Sequence, residues 1–179
     1  QLKYIGYMIQ DVTRLSDNIG RILDLARIES KSYQGKFVES DLVAVVGTFC
    51  KTNGHLFPGC EINVHTPSEK SFNYPVNSHL FEMLLMNLLT NAVKYNSSGL
   101  PRIDITFDLH KQSMHLKFED NGIGIEKAQI KKIFRKFYQA GQYKDMTAKG
   151  SGLGLHLVQN IARIHKGRVV AESKGNGKG

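Results

Sequence analysis

The most chemically informative run in this sequence is Asn87-Leu-Leu-Thr-Asn91-Ala-Val-Lys94-Tyr95. Two amides, an ammonium and a phenol recur at steps of four, three and one, so a helix places all four on one edge. Amide oxygens suit a hard cation such as Mg²⁺, directly or through its waters. A lysine one turn further suits phosphate, and the tyrosine beside it can lie against a base or ribose. Phe81, Leu84, Leu88 and Ala92 form an apolar stripe beside this edge. A plain water-facing helix edge would also account for the polar residues, so the run alone leaves both readings open.

Two further runs could do related chemistry. In Glu119-Asp120-Asn121-Gly122-Ile123-Gly124-Ile125, Asp120 continues the alternation of Met114, Leu116 and Phe118, which predicts a buried-face position at a strand's end. A carboxylate there is costly unless charge-assisted hydrogen bonds satisfy it. The exocyclic amine of adenine is a suitable donor, and Gly122 and Gly124 would let backbone approach a flat ring. An Asx turn explains Asn121 and Gly122 but not the register of Asp120. In Gly150-Ser-Gly152-Leu-Gly154-Leu155, glycines open a helix whose free N–H groups would face an anion. Leu155 stands where a dinucleotide fingerprint has its third glycine, and no Lys-Ser or Lys-Thr follows as in a P-loop. The His-Arg-Asp triad of protein kinases is absent as well. This predicts a phosphate cradle of another kind.

The elements that must position these residues are legible in outline. Ile5, Met8, Val12, Leu15, Ile19, Ile22 and Ala26 step by three and four over three heptads, the seam of a bundle helix. Leu23, Leu25 and Ile28 widen that stripe where the helix would meet a second surface. Ser30 to Lys36 ends it. Asp41 is a candidate cap for a helix to about Leu56, and Ile62 and Val64 mark a short strand. A second helix runs from Asn77 or Ser78 to about Asn96. Ile103–Leu109 and Met114–Phe118 form a hairpin. Gln139 to Lys149 is an aperiodic loop, a third helix runs from about Leu153 to His165 and stops at Gly167, and Arg168 to Glu172 is a last strand. The expected class is α+β, a two-layer sandwich with a mixed sheet under three helices, preceded by one long helix.

Composition narrows the function classes. Of 179 residues 41% are apolar, enough for a core, and the net charge is +8. The basic residues are scattered, without the stripe and interleaved aromatics of a nucleic-acid binder, so no nucleic-acid partner is expected. Leu80–Val93, the richest apolar stretch, is broken by Glu82, Asn87 and Asn91, and no signal segment is visible, so a cytoplasmic location is expected. Membrane attachment of a longer parent stays open. Cys50 and Cys60 form neither a disulfide framework nor a metal set.

In order and spacing the three runs resemble the N, G1 and G2 boxes of the sensor histidine kinase catalytic domain, of the Bergerat ATP-binding type. Ile133-Phe134-Arg-Lys-Phe137-Tyr138 resembles its F box, and the first helix resembles the second helix of its dimerisation domain. The resemblance covers about Ser78 to Val170 and implies residues 1–31 from a dimerisation domain and 37–179 as the ATP-binding domain. By that resemblance Asn91 coordinates Mg²⁺ with Asn87 beside it, Lys94 serves the phosphates, and Tyr95 flanks the nucleotide. Asn87 and Lys94 become the candidate catalytic pair. Asp120 takes the adenine amine. Gly122 and Gly124, then Gly150, Gly152 and Gly154, are the box glycines, and Ile125, Phe137, Lys149, Leu153 and Leu155 complete the nucleotide set. The implied partners are ATP, a second copy through the first helix, and a response regulator receiver domain.

Asn87 separates subfamilies. The related gyrase-type ATPases carry Glu four residues before the metal Asn, as general base for water, and an amide cannot take a proton. That argues for transfer to histidine and against hydrolysis. Gln139 stands where many members have arginine, so Lys136, Lys144 or Lys149 must supply that charge. The family continues into another strand after Gly179, which predicts an unpaired sheet edge here. No histidine among His55, His65, His79, His110, His115, His156 and His165 has the acceptor context, so the phosphoacceptor is expected outside this chain.

Overall fold

A computed structural model describes residues 2–30, 35–67, 71–96, 99–110, 113–140 and 150–175, the side chains at 2, 3, 10, 14 and 17 excepted. Helix α1 spans Leu2–Glu29. Its heptad seam is present but bare: Ile5, Met8, Val12, Leu15, Ile19 and Ile22 are 46–66% exposed. Only the last turns dock. Leu25 and Ile28 are buried, while Leu23, expected with them, points outward. Glu29 fixes this end, accepting from Lys136 Nζ at 2.6 Å and facing His156 Nε2 at 3.1 Å. These two hydrogen bonds, Lys136 first, hold the Glu29 carboxyl below the usual carboxylate range.

Strand β1 (Val38–Asp41) pairs antiparallel with β3 (Asn73–Val76). The sequence hides this small sheet because β1 reads Val-Glu-Ser-Asp without alternation and β3 contains Pro75. Helix α2 (Leu42–Asn53) starts where expected. The Asp41 carboxylate accepts from the Val43 and Phe72 N–H groups, each at 3.0 Å. A 3-10 turn at Gly54–Leu56 leads into β2 (Glu61–His65). Helix α3 (Ser78–Lys94) is capped by the Asn77 side chain accepting from Leu80 N at 3.0 Å.

Strands β4 (Arg102–His110) and β5 (Ser113–Asp120) form the expected hairpin. β2 joins β4 in parallel, so the order is β2-β4-β5 and the sheet is mixed. A short α4 (Lys127–Ile130) and then α5 (Gly154–Ile164) complete the chain's regular elements among the described residues. Ile103 and Ile105 of the sheet share one core with Leu85 and Leu89 of α3 and Leu157, Val158 and Ile161 of α5, which gives the two-layer sandwich. Full burial of each such side chain stabilises by about 1.5–3 kcal/mol. The inward face of α3 centres on Leu85 and Leu89, so Leu88, expected in the stripe, sits at its rim, partly buried.

Two endings depart from expectation. Arg168–Glu172 forms no ladder: a groove opens between it and β5, leaving β5 with an unpaired outer edge among the described residues. And α5 is closed by Lys166, not by Gly167. Lys166 takes φ 57°, its N–H donates to Arg163 O at 2.9 Å, and Gly167 N donates to Ala162 O at 2.8 Å. That is a Schellman ending with lysine at the left-handed position.

Candidate nucleotide site

The polar edge of α3 lies where the termini of β5 and α5 converge. Tyr95, the residue after α3, accepts from Ile123 N through its carbonyl at 2.9 Å, tying the helix end to the turn after β5. Asn121 secures the same corner. Its Oδ1 accepts from Asn96 Nδ2 at 2.6 Å and Arg102 N at 2.8 Å, and its Nδ2 donates to Leu100 O at 3.0 Å. Asp120 Oδ1 accepts from Gly122 N at 2.9 Å, so the turn geometry is real. Asp120 shares the inward face with its cross-strand partner Ile103, but it is exposed to the groove where burial was expected, because no further strand among the described residues covers it.

From the other side, the glycine run meets α3. A Cβ on Gly154 would lie 2.9 Å from Asn87 Oδ1 and 3.6 Å from Asn91 Nδ2. A Cβ on Gly150 would collide with Lys94 Nζ. The start of α5 therefore presses against the amides and the ammonium of α3, two segments about sixty residues apart in the chain. Among the described residues no side chain caps the first turn of α5, so its N–H groups can receive an anion. Asn87 Nδ2 donates to Met83 O at 2.7 Å, which orients Oδ1 outward toward Gly154. The Asn91 amide makes no hydrogen bond among the described residues. Burial pushes the Lys94 ammonium down, and the Arg21 guanidinium of α1 pushes the same way. An ammonium lining the groove, with a second cation near enough to repel it, suits a polyanion.

A groove of about 1320 Å³ opens from this corner. Asn91, Lys94, Tyr95, Asp120, Gly124, Ile125, Gly150 and Leu155 line it, together with the apolar Phe107, Met114, Leu116 and Val169. Burial also raises the Tyr95 phenol.

The remaining expected residues sit elsewhere. Asn87 stands beside the groove, against Gly154. Gly122 and Gly124 are also crowded by the protein itself: a Cβ on Gly122 would lie 2.6 Å from Asp120 Oδ1 and 2.7 Å from the Tyr95 carbonyl oxygen, and one on Gly124, at φ 71°, would meet Gly175 O. Gly152, at φ 69°, packs under the Phe137 backbone, itself at φ 60°. The Phe137 ring is 64% exposed, and Leu153 is a core residue. Lys149 and Lys144, with the loop 141–149, lie outside the described residues. Lys136, a candidate for the missing cation, is taken by Glu29, and Gln139 Nε2 donates to Gly150 O.

Arg21 and Ser173 were not legible in sequence. Arg21 belongs to a distant helix, and Ser173 Oγ accepts from Ile125 N at 2.9 Å across a contact that only folding creates. His156, Nδ1 donating to Phe134 O at 2.8 Å, docks the F-box-like turn onto α5.

Residues 77–179 match the family model described as "Histidine kinase-, DNA gyrase B-, and HSP90-like ATPase". The chain belongs to that family. Within this ATPase family its relatives are sensor kinases. It is 33% identical over 181 residues to Sensor protein KdpD of Escherichia coli, covering 99% of this chain and 19% of that protein. It is 25% identical over 172 residues to the signal transduction histidine-protein kinase ArlS of Staphylococcus haemolyticus, covering 96% and 38%. The chain thus spans well under half of these relatives. Among solved structures, the Acinetobacter baumannii histidine kinase AdeS superposes with TM-score 0.71 at 22% identity, covering 96% of this chain and 78% of that one. Histidine kinase ThkA, solved in complex with the response regulator TrrA, gives 0.74 at 20%, covering 97% and 48%. This family membership carries the ATP-binding fold. No helix among the described residues is long and apolar enough to cross a membrane.

Proposed function

We propose that this chain is the ATP-binding catalytic part of a sensor histidine kinase, handing the γ-phosphoryl group of ATP to a histidine on a dimerisation segment outside the chain, for relay to a response regulator receiver domain. The observation that carries it is the meeting of Asn87, Asn91 and Lys94 with Gly150 and Gly154. In this reading Asp120 accepts from the adenine amine, Tyr95 flanks the nucleotide, and the N–H groups opening α5, with Lys94 and Arg21, receive the triphosphate. Asn91 and Asn87 would hold Mg²⁺. Their fit rests on the Asn91 amide, without a hydrogen-bond partner among the described residues, and the outward Oδ1 of Asn87, both hard oxygen donors. The ion, when bound, neutralises phosphate charge. The acceptor imidazole attacks phosphorus in line as the bridging oxygen leaves with ADP. No water needs activating, and Asn87 could not serve as base.

Residues 1–31 in this reading are one helix of a dimerisation bundle, and the bare seam of α1 is the face a second copy covers. The relative solved with a response regulator supports the relay partner. Gln139 held on Gly150 and Lys136 on Glu29 favour a second reading, a nucleotide-binding module with little transfer. Calorimetry tests the site shared by both readings. Asn91→Ala should lower Mg²⁺-dependent ATP affinity tenfold or more, about 1.4 kcal/mol. Unchanged metal-dependent binding would remove Asn91 from the site.

A further inference from the structure

The far end of the β4–β5 hairpin carries a cluster that the nucleotide site does not use. Asp108 and His110 alternate on the exposed face of β4, and His115 stands directly across from Asp108 on β5. His110 is paired with Ser113, whose small side chain lets the imidazole lean diagonally toward His115. The two rings meet edge to face with centroids 5.1 Å apart. Asp108 Oδ2 lies 3.3 Å from His110 Nε2 and 4.0 Å from His115 Nδ1. One donor atom from each residue falls within 4.8 Å of the others.

We propose that Asp108, His110 and His115 form a binding site for a zinc-type divalent transition metal that staples β4 to β5. Metal–ligand bonds of about 2.0–2.1 Å in tetrahedral geometry set ligand atoms about 3.3 Å apart, the separation the Asp108–His110 pair already has. Small side-chain rotations bring His115 in, and these side chains are free to make them because all three are exposed. Two imidazoles and one carboxylate select Zn²⁺, Ni²⁺ or Cu²⁺ over Mg²⁺ or Ca²⁺, which prefer all-oxygen sets. The fourth position is left to water. Neighbouring charges on the same face are satisfied among themselves. Lys117 pairs with Glu119 at 2.8 Å, and Asp104 with His65 at 3.1 Å and Arg102 at 3.2 Å.

The experiment titrates ZnCl₂ into the whole chain by calorimetry in chelator-free buffer, with Co²⁺ absorption reporting coordination. One zinc per chain is expected, with intense tetrahedral Co²⁺ bands. Affinity should fall at least about tenfold in His110→Ala and in His115→Ala, comparable to the loss of a supporting metal-site residue or greater. His65→Ala, a control histidine on the same face, should bind as the parent does. Unchanged affinity in both hairpin variants would overturn the proposal. So would an equal loss in His65→Ala, which would place the zinc elsewhere. These side chains are exposed, so circular dichroism of the variants should match the parent. The readout uses no nucleotide, so it stands or falls apart from the kinase reading.

Discussion

Helices α1 and α3 both carry apolar stripes, and only one of the two is covered. In α3, Leu85 and Leu89 are fully buried against the sheet and α5, while in α1 the seam residues Ile5, Met8, Val12, Leu15, Ile19 and Ile22 are 46–66% exposed. The covered stripe fixes the rotation of α3, and that rotation aims Asn91, Lys94 and Tyr95 into the groove. The bare stripe positions nothing within this chain except through its last turns, where Leu25, Ile28 and Glu29 dock. A buried face thus builds a site inside one molecule, and an unburied face of the same pattern is a surface for another helix.

The widest separation between the two helices should appear in stability. Leu85→Ala should cost roughly 2–5 kcal/mol of unfolding free energy. Ile19→Ala, measured by denaturant unfolding at high dilution, should stay within about 0.5 kcal/mol, as for an exposed site. Equal losses would mean the α1 seam is covered within the monomer.

A smaller effect tests the groove into which the buried face of α3 aims its polar edge, at the residue that ends β5. Asp120→Asn should weaken ATP by about 1.5–3 kcal/mol, the worth of a charged hydrogen bond, and leave inorganic triphosphate nearly unchanged. Equal losses for both ligands in calorimetry would make Asp120 only the turn residue that its bond to Gly122 describes.

The two helices also differ in the pH at which their anchors fail. His165, at the end of α5, accepts from Asn77 N through Nε2 at 3.0 Å and donates from Nδ1 to Ile161 O at 2.8 Å, so it is the neutral ring that holds the start of α3. Burial lowers its pKa from the ordinary 6.5. The unfolded chain therefore takes up protons first, and this contribution is complete above pH 6.5 and shrinks as pH falls below it. Glu29, which anchors α1, is lowered from 4.5 by its hydrogen bonds, so its contribution is present above that value and is lost only as pH falls below it. Urea midpoints should drop between pH 7 and 5.5 and drop less in His165→Gln. An identical pH slope in that variant would show that the ring at 165 is not the titrating anchor.

What was legible in sequence follows the same division. Periodicity found α1, α3 and the hairpin, because burial on one face imposes a repeat on the residues, and the capping residue Asp41 marked the start of α2. It rotated the α3 stripe slightly, since Leu84, Leu85, Leu88 and Leu89 are chemically alike and only packing chooses among them. It missed β1 and β3, whose pairing is long-range and whose residues include Pro75 and the polar Glu39, Ser40, Asp41 and Asn73. It supplied a strand at Arg168–Glu172 from β-branched residues, but a strand also needs a ladder, and β5 stands across a groove. The candidate site was readable as three runs. Their convergence, the Arg21 contribution and the diversion of Lys136 to Glu29 are tertiary facts with no local signature.

The most direct measurement incubates this chain with γ-labelled ATP, Mg²⁺ and a separate dimerisation segment bearing an acceptor histidine. The account predicts acid-labile label on the added segment, none on the chain itself, and loss of label in Lys94→Ala. Acid-labile label on the isolated chain would contradict the missing acceptor. ATP binding with no label on any acceptor segment would replace the kinase with a silent nucleotide-binding module.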